Sequence, residues 1–150
     1  MRFNYPVEVR FQCVNCGICC GDTKEKTRHI LLLKPEAEQI SKGTLQPTTQ
    51  FAVKIDNGKP YCYEMKKRTE DRKCVFLEND LCTIYLFRPL ICRFYPFELD
   101  SRSGKYSFHF TEECPGIGEG GILAVEYFTK MLCLALDRHK QAEALSGTPI

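Results

Sequence analysis

Short hydrophobic runs predict short strands and little helix in the N-terminal part of the chain. Val7–Gln12 alternates apolar and polar side chains, and Ile30–Leu33 is a continuous apolar run typical of a buried strand. Lys34–Ile40 predicts a short helix, because Pro35 stands at its first position and acidic residues follow in its first turn. We expect this helix to end near Gly43.

Three β-hairpins are predicted in the middle of the chain, each from two apolar runs separated by turn residues. The first turns at Asn57-Gly58, a dipeptide that favours tight hairpin turns. The second turns around residues 78–80 and the third around residues 100–104. The paired runs are Phe51–Ile55 with Pro60–Met65, Cys74–Leu77 with Leu81–Ile84, and Phe94–Leu99 with Lys105–Phe110.

A helical period replaces the period of two after the Gly-rich segment 116–121. One long helix is predicted from about Ile122 to Leu145, because its apolar residues recur at spacings of three and four and share one face. Those residues are Val125, Phe128, Leu132 and Leu136, with Met131 and Ala135 beside them. The expected fold class is α+β: a small single domain over residues 1–150, with short antiparallel hairpins and one long C-terminal helix.

Composition agrees with a folded domain and restricts its partners. The 150 residues are enough for a hydrophobic core. Lys and Arg number 21 and Asp and Glu 19, and the net charge of +2 is too small for non-specific binding to a polyanion. The basic stretch 66–73 is interrupted by Glu70 and Asp71, so it predicts a solvated loop rather than a nucleic-acid interface.

Ten cysteines are the unusual feature of the composition. The N-terminus carries charges at Arg2, Glu8 and Arg10 and lacks the apolar core of a secretion signal. The longest apolar run, Met131–Leu136, is far shorter than the about 18 residues of a membrane span. We therefore expect a cytoplasmic protein without a membrane partner, in which clustered cysteines indicate metal ligands or catalytic thiols rather than disulfides.

The strongest local signal is a run of four cysteines: Cys13, Cys16, Cys19 and Cys20. Thiolates at three-residue spacing can wrap one metal centre while the backbone N–H groups between them point at sulfur. The adjacent side chains of Cys19 and Cys20 are expected to diverge. Two interpretations stay open: two metal centres, or one ligand beside one non-ligand.

The spacing of the later cysteines bears on which metal is bound. A zinc ribbon requires a second C-x2-C knuckle, and the chain has none. Cys114 is followed by Pro115, and C-x2-C-x2-C with a distant Cys-Pro is typical of bacterial ferredoxins, although here Cys20 directly follows Cys19. The spacing therefore favours an iron–sulfur cluster, of the [4Fe–4S] type, over structural zinc.

Further residues complete a family resemblance. The cysteine run, Cys74, Cys82-Thr-Ile-Tyr85, Arg88-Pro89 and Cys92-Arg93 together resemble the YkgJ-type cysteine-cluster family, described as a zinc- or iron-chelating domain with the signature CxxCxxCC. The resemblance covers about residues 12–20 and 74–97, with Cys-Pro-Gly-Ile-Gly at 114–118. Carried over residue by residue, it implies metal that staples the fold through eight ligands: Cys13, Cys16, Cys19, Cys20, Cys74, Cys82, Cys92 and Cys114.

Other residues near these motifs have alternative roles. Arg88 and Arg93 either offset thiolate charge or rigidify the turn around Cys92. The segment 116–121 is predicted to be a tight turn that brings Cys114 to the metal, in preference to an anion site at the start of the long helix. Cys62 and Cys133 match no family motif, and Cys133 is predicted to be a buried packing thiol.

Three classes of function stay open. The first is a metal-binding protein with an iron–sulfur cluster, and the second is a zinc-binding structural or adaptor protein. The third is an iron–sulfur enzyme of methyl- or modifying-transfer type, because a related cysteine cluster occurs in a flagellin lysine methylase regarded as an iron–sulfur protein. P-loop, GxSxG, HExxH, dinucleotide and radical S-adenosylmethionine signatures are absent, so no catalytic residue is assigned.

Overall fold

The computed structural model describes residues 2–56, 59–102 and 104–146. Two 3₁₀ turns lie at Ile18–Cys20 and Tyr85–Phe87. The helices are α1 (Lys34–Thr44), α2 (Thr48–Phe51), α3 (Leu90–Phe94) and α4 (Val125–Ser146). The strands are β1 (Phe3–Asn4), β2 (Arg10–Phe11), β3 (Leu31–Leu33), β4 (Ala52–Lys54), β5 (Tyr61–Met65), β6 (Leu77–Glu78), β7 (Leu81–Cys82), β8 (Phe97–Asp100), β9 (Tyr106–Phe110) and β10 (Ile117–Ile122).

The strands form small sheets, most of them antiparallel. β5 pairs with β3 on one side and β4 on the other, and β6 pairs with β7. β8 and β9 form a hairpin to which β1 adds in parallel, and β2 pairs with β10. The α+β class predicted from the sequence is confirmed. No helix within the described ranges is long and apolar enough to cross a membrane.

All three predicted hairpins form, with shifted boundaries. Phe51 ends α2 and precedes the first hairpin, β4–β5, and the predicted Asn57-Gly58 turn lies outside the described residues. Asn79 and Asp80 turn the second, β6–β7, with positive φ angles of 50° and 62°. Phe94 belongs to α3, so the third, β8–β9, begins only at Phe97, and residue 103 of its turn is not described.

Two predictions are wrong in part, one for a strand near the N-terminus and one for the segment before the C-terminal helix. The predicted strand Val7–Gln12 shrinks to β2, because Glu8 adopts a left-handed φ of 68° and the Val9 N–H closes a turn onto the Pro6 carbonyl. The segment expected to be a tight turn, 116–121, instead contributes to β10, which pairs with β2. The long helix consequently starts at residue 125, later than expected.

Side chains from these elements fill two hydrophobic cores. The first core lies between α1, α2 and the β3–β5 sheet, and includes Leu32, Ile40 and Phe51. The second lies between α4 and the β8–β9 hairpin, where the fully buried Phe128 ring contacts several aromatic rings. The predicted buried face of α4 is confirmed at Phe128, Leu132 and Ala135, while Val125 is 41% exposed at the helix start.

Glu36 connects three helices at the boundary of these cores. Its carboxylate is 4% exposed and accepts a hydrogen bond from the Leu33 N–H at the start of α1 (3.0 Å). The same group accepts from the Leu90 N–H at the start of α3 and from Arg138 Nη1 of α4 (2.7 Å). These bonds position α3, the helix that carries Cys92, against α1 and α4.

Candidate metal centre

The cysteine loop, residues 12–21, turns back on itself. Asn15 and Gly17 have positive φ angles of 55° and 76°. The Cys20 N–H donates to the Gly17 carbonyl (3.1 Å) and closes the 3₁₀ turn. Cys13 and Cys16 are exposed, whereas Cys19 and Cys20 are half-buried. The loop therefore presents two thiols to solvent and two to the rest of the protein.

The end of the cysteine loop is fixed against the segment that leads to Cys74. Gly21 forms an antiparallel bridge with Lys73, and the Cys74 N–H donates to the Cys20 carbonyl (2.5 Å). A Cβ at Gly21 would lie 2.4 Å from the Arg72 carbonyl oxygen, so this approach of two backbones requires glycine. Cys20 and Cys74 are thus neighbours although far apart in sequence.

The basic stretch 66–73 holds the cysteine loop in place. Lys67 Nζ lies 2.6 Å from the Asp22 carboxylate and donates to the Arg28 carbonyl, and Arg72 Nε lies 3.1 Å from Asp22. The hydrogen bond from Lys67, followed by one from the Arg28 N–H, lowers the pKa of Asp22 to about 2. The prediction of a solvated loop is therefore wrong for the part that contacts Asp22, although Glu70 and Asp71 are exposed.

The first core gathers four of the predicted ligands. Cys74 is part of this core and 6% exposed, and three half-buried thiols pack against it: Cys20, Cys82 and Cys92. Cys82 ends β7 and Cys92 lies on α3, so the β6–β7 turn and the bonds of Glu36 determine where these sulfurs lie.

Cys114 reaches the cysteine loop through a backbone contact. The Gln12 N–H donates to the Gly116 carbonyl (3.1 Å), and a Cβ at Gly116 would lie 2.4 Å from the Gln12 carbonyl oxygen. Cys114 is buried. Burial raises its pKa, and the charge of Cys16 adds to the effect. Cys114 therefore belongs with the first half of the cysteine loop.

Burial makes three thiols at the first core poor acids: Cys74, Cys82 and Cys92. It raises the pKa of Cys74 to about 11, and repulsion from Cys82 adds to this. Burial likewise raises the pKa of Cys82 and of Cys92, and the charge of Cys74 raises that of Cys92 further. Without a metal these sulfurs are protonated at neutral pH, so metal binding must displace their protons.

Cys19 and Cys20 do not diverge as the sequence suggested. Their sulfurs lie 4.0 Å apart, within hydrogen-bonding distance for sulfur. The hydrogen bond from Cys20 lowers the pKa of Cys19 to about 6 and raises that of Cys20. The hydrogen bond between the two sulfurs thus favours the thiolate form at Cys19, at the point where the loop turns inward.

Arg28 and Tyr95 bring buried donors to the cysteines. Arg28 Nε and Nη2 and Tyr95 Oη are buried and find no hydrogen-bond partner among the described residues. The guanidinium lies over the Tyr95 ring, 4.7 Å from its centroid, and its charge favours the thiolate forms of Cys19 and Cys92. Burial, with the charge of Cys114, raises the pKa of Tyr95 to about 12.

Buried donors normally have acceptors, and the sulfur of a bound metal centre would supply them here. The donor set therefore fits such a centre, with thiols as ligands and N–H and O–H groups directed at sulfur. Neither residue was among the candidates predicted from the sequence. Tyr95 lies three positions after Cys92, and this spacing could have indicated that it lies near the cysteines. Nothing in the sequence around Arg28 indicates a role beside them.

The two arginines beside Cys92 have different roles. Arg93 donates to the Leu86 and Arg88 carbonyls (2.8 and 3.4 Å) and so rigidifies the turn. Arg88 donates to the Tyr85 carbonyl and lies 3.8 Å from the centroid of the Tyr85 ring. The Arg88 charge also favours the thiolate forms of Cys19 and Cys82, so Arg88 serves both predicted purposes.

Cys62 and Cys133 belong to neither core and do not pack against either. Cys62 is half-buried and its thiol donates to the Pro60 carbonyl (3.6 Å). Cys133 is exposed on α4, so the prediction of a buried packing thiol is wrong. Among the residues that the structure describes, no three Cys, His, Asp or Glu side chains are already arranged as the ligands of one ion.

A cavity of about 990 Å³ adjoins Arg28 and Tyr95, which both line it. Its lining also includes Tyr61 and His139, whose rings meet edge to face at 5.8 Å. The volume is typical of a small-molecule site.

Comparison with known proteins gives two relatives from Methanocaldococcus jannaschii. The uncharacterized protein MJ0661 is 33% identical over 131 residues, which cover 80% of this chain and 65% of that protein. The uncharacterized protein MJ0939 is 25% identical over 120 residues, which cover 76% of this chain and 39% of that protein. The chain thus spans less than two thirds of the length of either relative. No solved structure matches the chain.

The family comparison covers the same region as the gathered cysteines. Residues 12–115 match the family CxxCxxCC, described as "Putative zinc- or iron-chelating domain". This range contains the cysteine loop, the thiols packed on the first core, and Cys114. The chain belongs to the CxxCxxCC family.

Proposed function

We propose that this chain is a metal-binding protein whose cysteines carry an iron–sulfur cluster of the [4Fe–4S] type. The observation that supports it most directly is the packing of Cys20, Cys82 and Cys92 against the core that contains Cys74, although these residues are distant in sequence. The ferredoxin-like spacing of the cysteine loop and Cys-Pro at 114–115 favours iron and sulfide over a single ion.

The protein's own groups would perform three tasks at such a centre. The thiols would hold the metal as thiolates, and the Arg28 charge favours loss of the proton at Cys19 and Cys92. The buried N–H groups of Arg28 and the Tyr95 hydroxyl, which lack partners in the described part of the chain, would donate to sulfur. The first core shields Cys74 from water. A bound cluster supplies one-electron exchange. We place the protein in the cytoplasm, where thiols stay reduced.

Anaerobic purification tests this proposal. The expected product is brown, absorbs near 400 nm and contains iron and acid-labile sulfide in equal amounts. Stoichiometric zinc without sulfide, in a preparation grown with ample iron, would contradict the cluster and support a zinc-stapled structural or adaptor protein. Absence of any metal would contradict both.

An iron–sulfur enzyme of modifying-transfer type is the second candidate, and the cavity beside Arg28 and Tyr95 favours it. Catalysis at a metal needs a coordination position that cysteine does not fill. Adding cyanide to the loaded protein after reduction with dithionite, which brings the cluster to its paramagnetic state, tests for such a position. A changed electron paramagnetic resonance spectrum supports the enzyme, whereas an unchanged spectrum indicates complete cysteine ligation.

A further inference from the structure

We infer that the eight candidate ligands form two adjacent four-thiol centres, one inner and one outer. The inference rests on the proposed metal-binding function and specifies its ligand sets. The inner centre consists of Cys20, Cys74, Cys82 and Cys92. The outer centre consists of Cys13, Cys16, Cys19 and Cys114.

The inner set is defined by one shared surface. Its four thiols belong to the first core or pack against it. The Gly21–Lys73 bridge and the hydrogen bond from the Cys74 N–H to the Cys20 carbonyl join two of its members through the backbone. The charges of Cys74 and Cys92 act on Cys20, which agrees with that proximity.

The outer set is defined by a different contact. The hydrogen bond from Gln12 to Gly116 places the segment after Cys114 at the start of the cysteine loop. Cys13 and Cys16 are exposed and do not pack against either core. The charge of Cys16 acts on Cys114, which agrees with their belonging together.

Cys19 stands at the junction of the two sets. Its charge acts on Cys74 and Cys92 of the inner set and on Cys114 of the outer set, so Cys19 is assigned by counting. The inner set already holds four thiols, the number that closes a tetrahedral or cubane site. The outer set holds three without Cys19, and three-residue spacing from Cys13 and Cys16 lets the loop wrap one centre. The 4.0 Å between the Cys19 and Cys20 sulfurs then marks the place where the two centres adjoin.

Arg28 and Tyr95 lie where two negatively charged centres would meet. The Arg28 charge acts on Cys92 of the inner set and Cys19 of the outer set. The charges of Cys114 and Cys19, both outer ligands, raise the pKa of Tyr95 beyond the effect of burial. A stacked cation and phenol at this place offset repulsion between the centres and offer donors to the sulfurs of each.

Zinc stoichiometry of the whole 150-residue chain tests the assignment. Reduced metal-free protein is titrated anaerobically with Zn²⁺ alone, since one zinc ion closes each four-thiol set. Native mass spectrometry counts the zinc, and alkylation followed by peptide mapping identifies the protected thiols. The wild type is expected to bind two zinc ions and protect eight cysteines.

Paired substitutions then separate the two sets. Cys13→Ser with Cys16→Ser alters exposed positions, and is expected to reduce zinc from two ions to one while the inner four thiols stay protected. Cys82→Ser with Cys92→Ser is expected to leave one zinc on the outer four. The matched control, Cys62→Ser with Cys133→Ser, is expected to keep two.

Each other outcome overturns a specific claim. The two-centre assignment is overturned if the wild type binds one zinc ion. It is also overturned if substitution of Cys13 and Cys16 removes both ions or neither. Metal binding itself stands in both cases. A folded wild type that binds neither zinc nor reconstituted iron overturns the proposed function itself. The exposed pair keeps the assignment falsifiable even where the buried pair fails to fold, and circular dichroism checks the fold of each variant.

Discussion

Single side chains around the thiols contribute in distinct ways. Arg28 brings a charge and buried N–H groups, and Tyr95 brings a buried hydroxyl, none of which has a partner within the described ranges. Gly21 provides the absence of a side chain where two backbones meet. Asp22 contributes no ligand and instead holds the loop to Lys67. Substitutions at these positions should therefore change different properties of the loaded protein.

Arg28→Gln should lower the reduction potential of the cluster without removing it. The positive charge stabilises the reduced, more negative state, so its loss is expected to shift the potential by on the order of 60 mV, equivalent to about 1.4 kcal/mol for one electron. Redox titration measures the shift. Lys26→Gln removes the same charge from an exposed position of the same loop and serves as the control. Equal potentials in both variants would contradict the role of Arg28.

Gly21→Ala should weaken metal binding by separating Cys20 from Cys74. The new Cβ would lie 2.4 Å from the Arg72 carbonyl oxygen, so the bridge to Lys73 must open. We expect at least a tenfold loss of zinc affinity, about 1.4 kcal/mol, measured by competition with a chelator. Gly121→Ala, at a position with open space around it, is the matched control. Unchanged affinity in Gly21→Ala would refute the positional role of the bridge.

At the scale of elements, short strands and one buried carboxylate determine where the ligands lie. The β6–β7 hairpin carries Cys82, α3 carries Cys92, and the pairing of β2 with β10 brings Cys114 back to the loop. Glu36 holds α1, α3 and α4 together.

Glu36→Gln should destabilise the protein by about 2 to 3 kcal/mol, because it leaves the partly buried Arg138 without its carboxylate. Denaturation of the loaded protein in urea measures the loss. Glu38→Gln, an exposed position of α1, is expected to change stability by less than about 0.5 kcal/mol. Equal stability of the two variants would show that the ion pair contributes nothing.

Sequence patterns correctly predicted the strands and the helix whose formation depends on neighbouring residues. They failed where contacts with distant residues determine the secondary structure or the exposure of a side chain. The period-two runs located β4, β5, β8 and β9, and the spacing of Phe128 and Leu132 located the buried face of α4. The segment after Cys114 was predicted to be a turn because it is rich in glycine. It contributes to a strand, β10, because it pairs with β2. The exposure of Cys133 was likewise set by which side of α4 meets the strands.

The candidate site was foreseen as a set of cysteines and not as an arrangement. The motif and the family resemblance named the eight residues, but the grouping of Cys20 with Cys74 depends on a backbone bridge at Gly21 that no spacing rule contains. Arg28 was missed for the same reason. Its importance comes from its position over Tyr95 and beside Cys19.

For the whole molecule, metal binding and protonation are linked. The inner thiols are protonated at neutral pH in the absence of metal, because burial raises their pKa values, that of Cys74 to about 11. Binding therefore releases protons and strengthens as the pH rises, and the dependence persists up to pH 9 because these pKa values lie above it. Cys19, with its pKa lowered to about 6, contributes little to the pH dependence of metal binding above pH 7.

We expect the zinc affinity to rise at least tenfold for each pH unit between 6.5 and 8.5, one factor of ten for each proton released. Competition with a chelator of known pH dependence measures this rise, and proton release into weak buffer gives an independent count. An affinity that does not change over this range would mean that the thiols are already ionised in the metal-free protein.

The backbone bridge between the cysteine loop and Lys73 also has a consequence for the time course of loading. Cys20 and Cys74 are held together before metal arrives, whereas Cys13 and Cys16 are exposed, lie outside regular secondary structure and have to be drawn in by the metal. Filling is therefore expected in two kinetic phases, a fast one at the prearranged thiols and a slower one at the exposed end of the loop. Stopped-flow absorbance after mixing with cobalt should resolve the two phases, and loss of Cys13 and Cys16 should remove only the slower one.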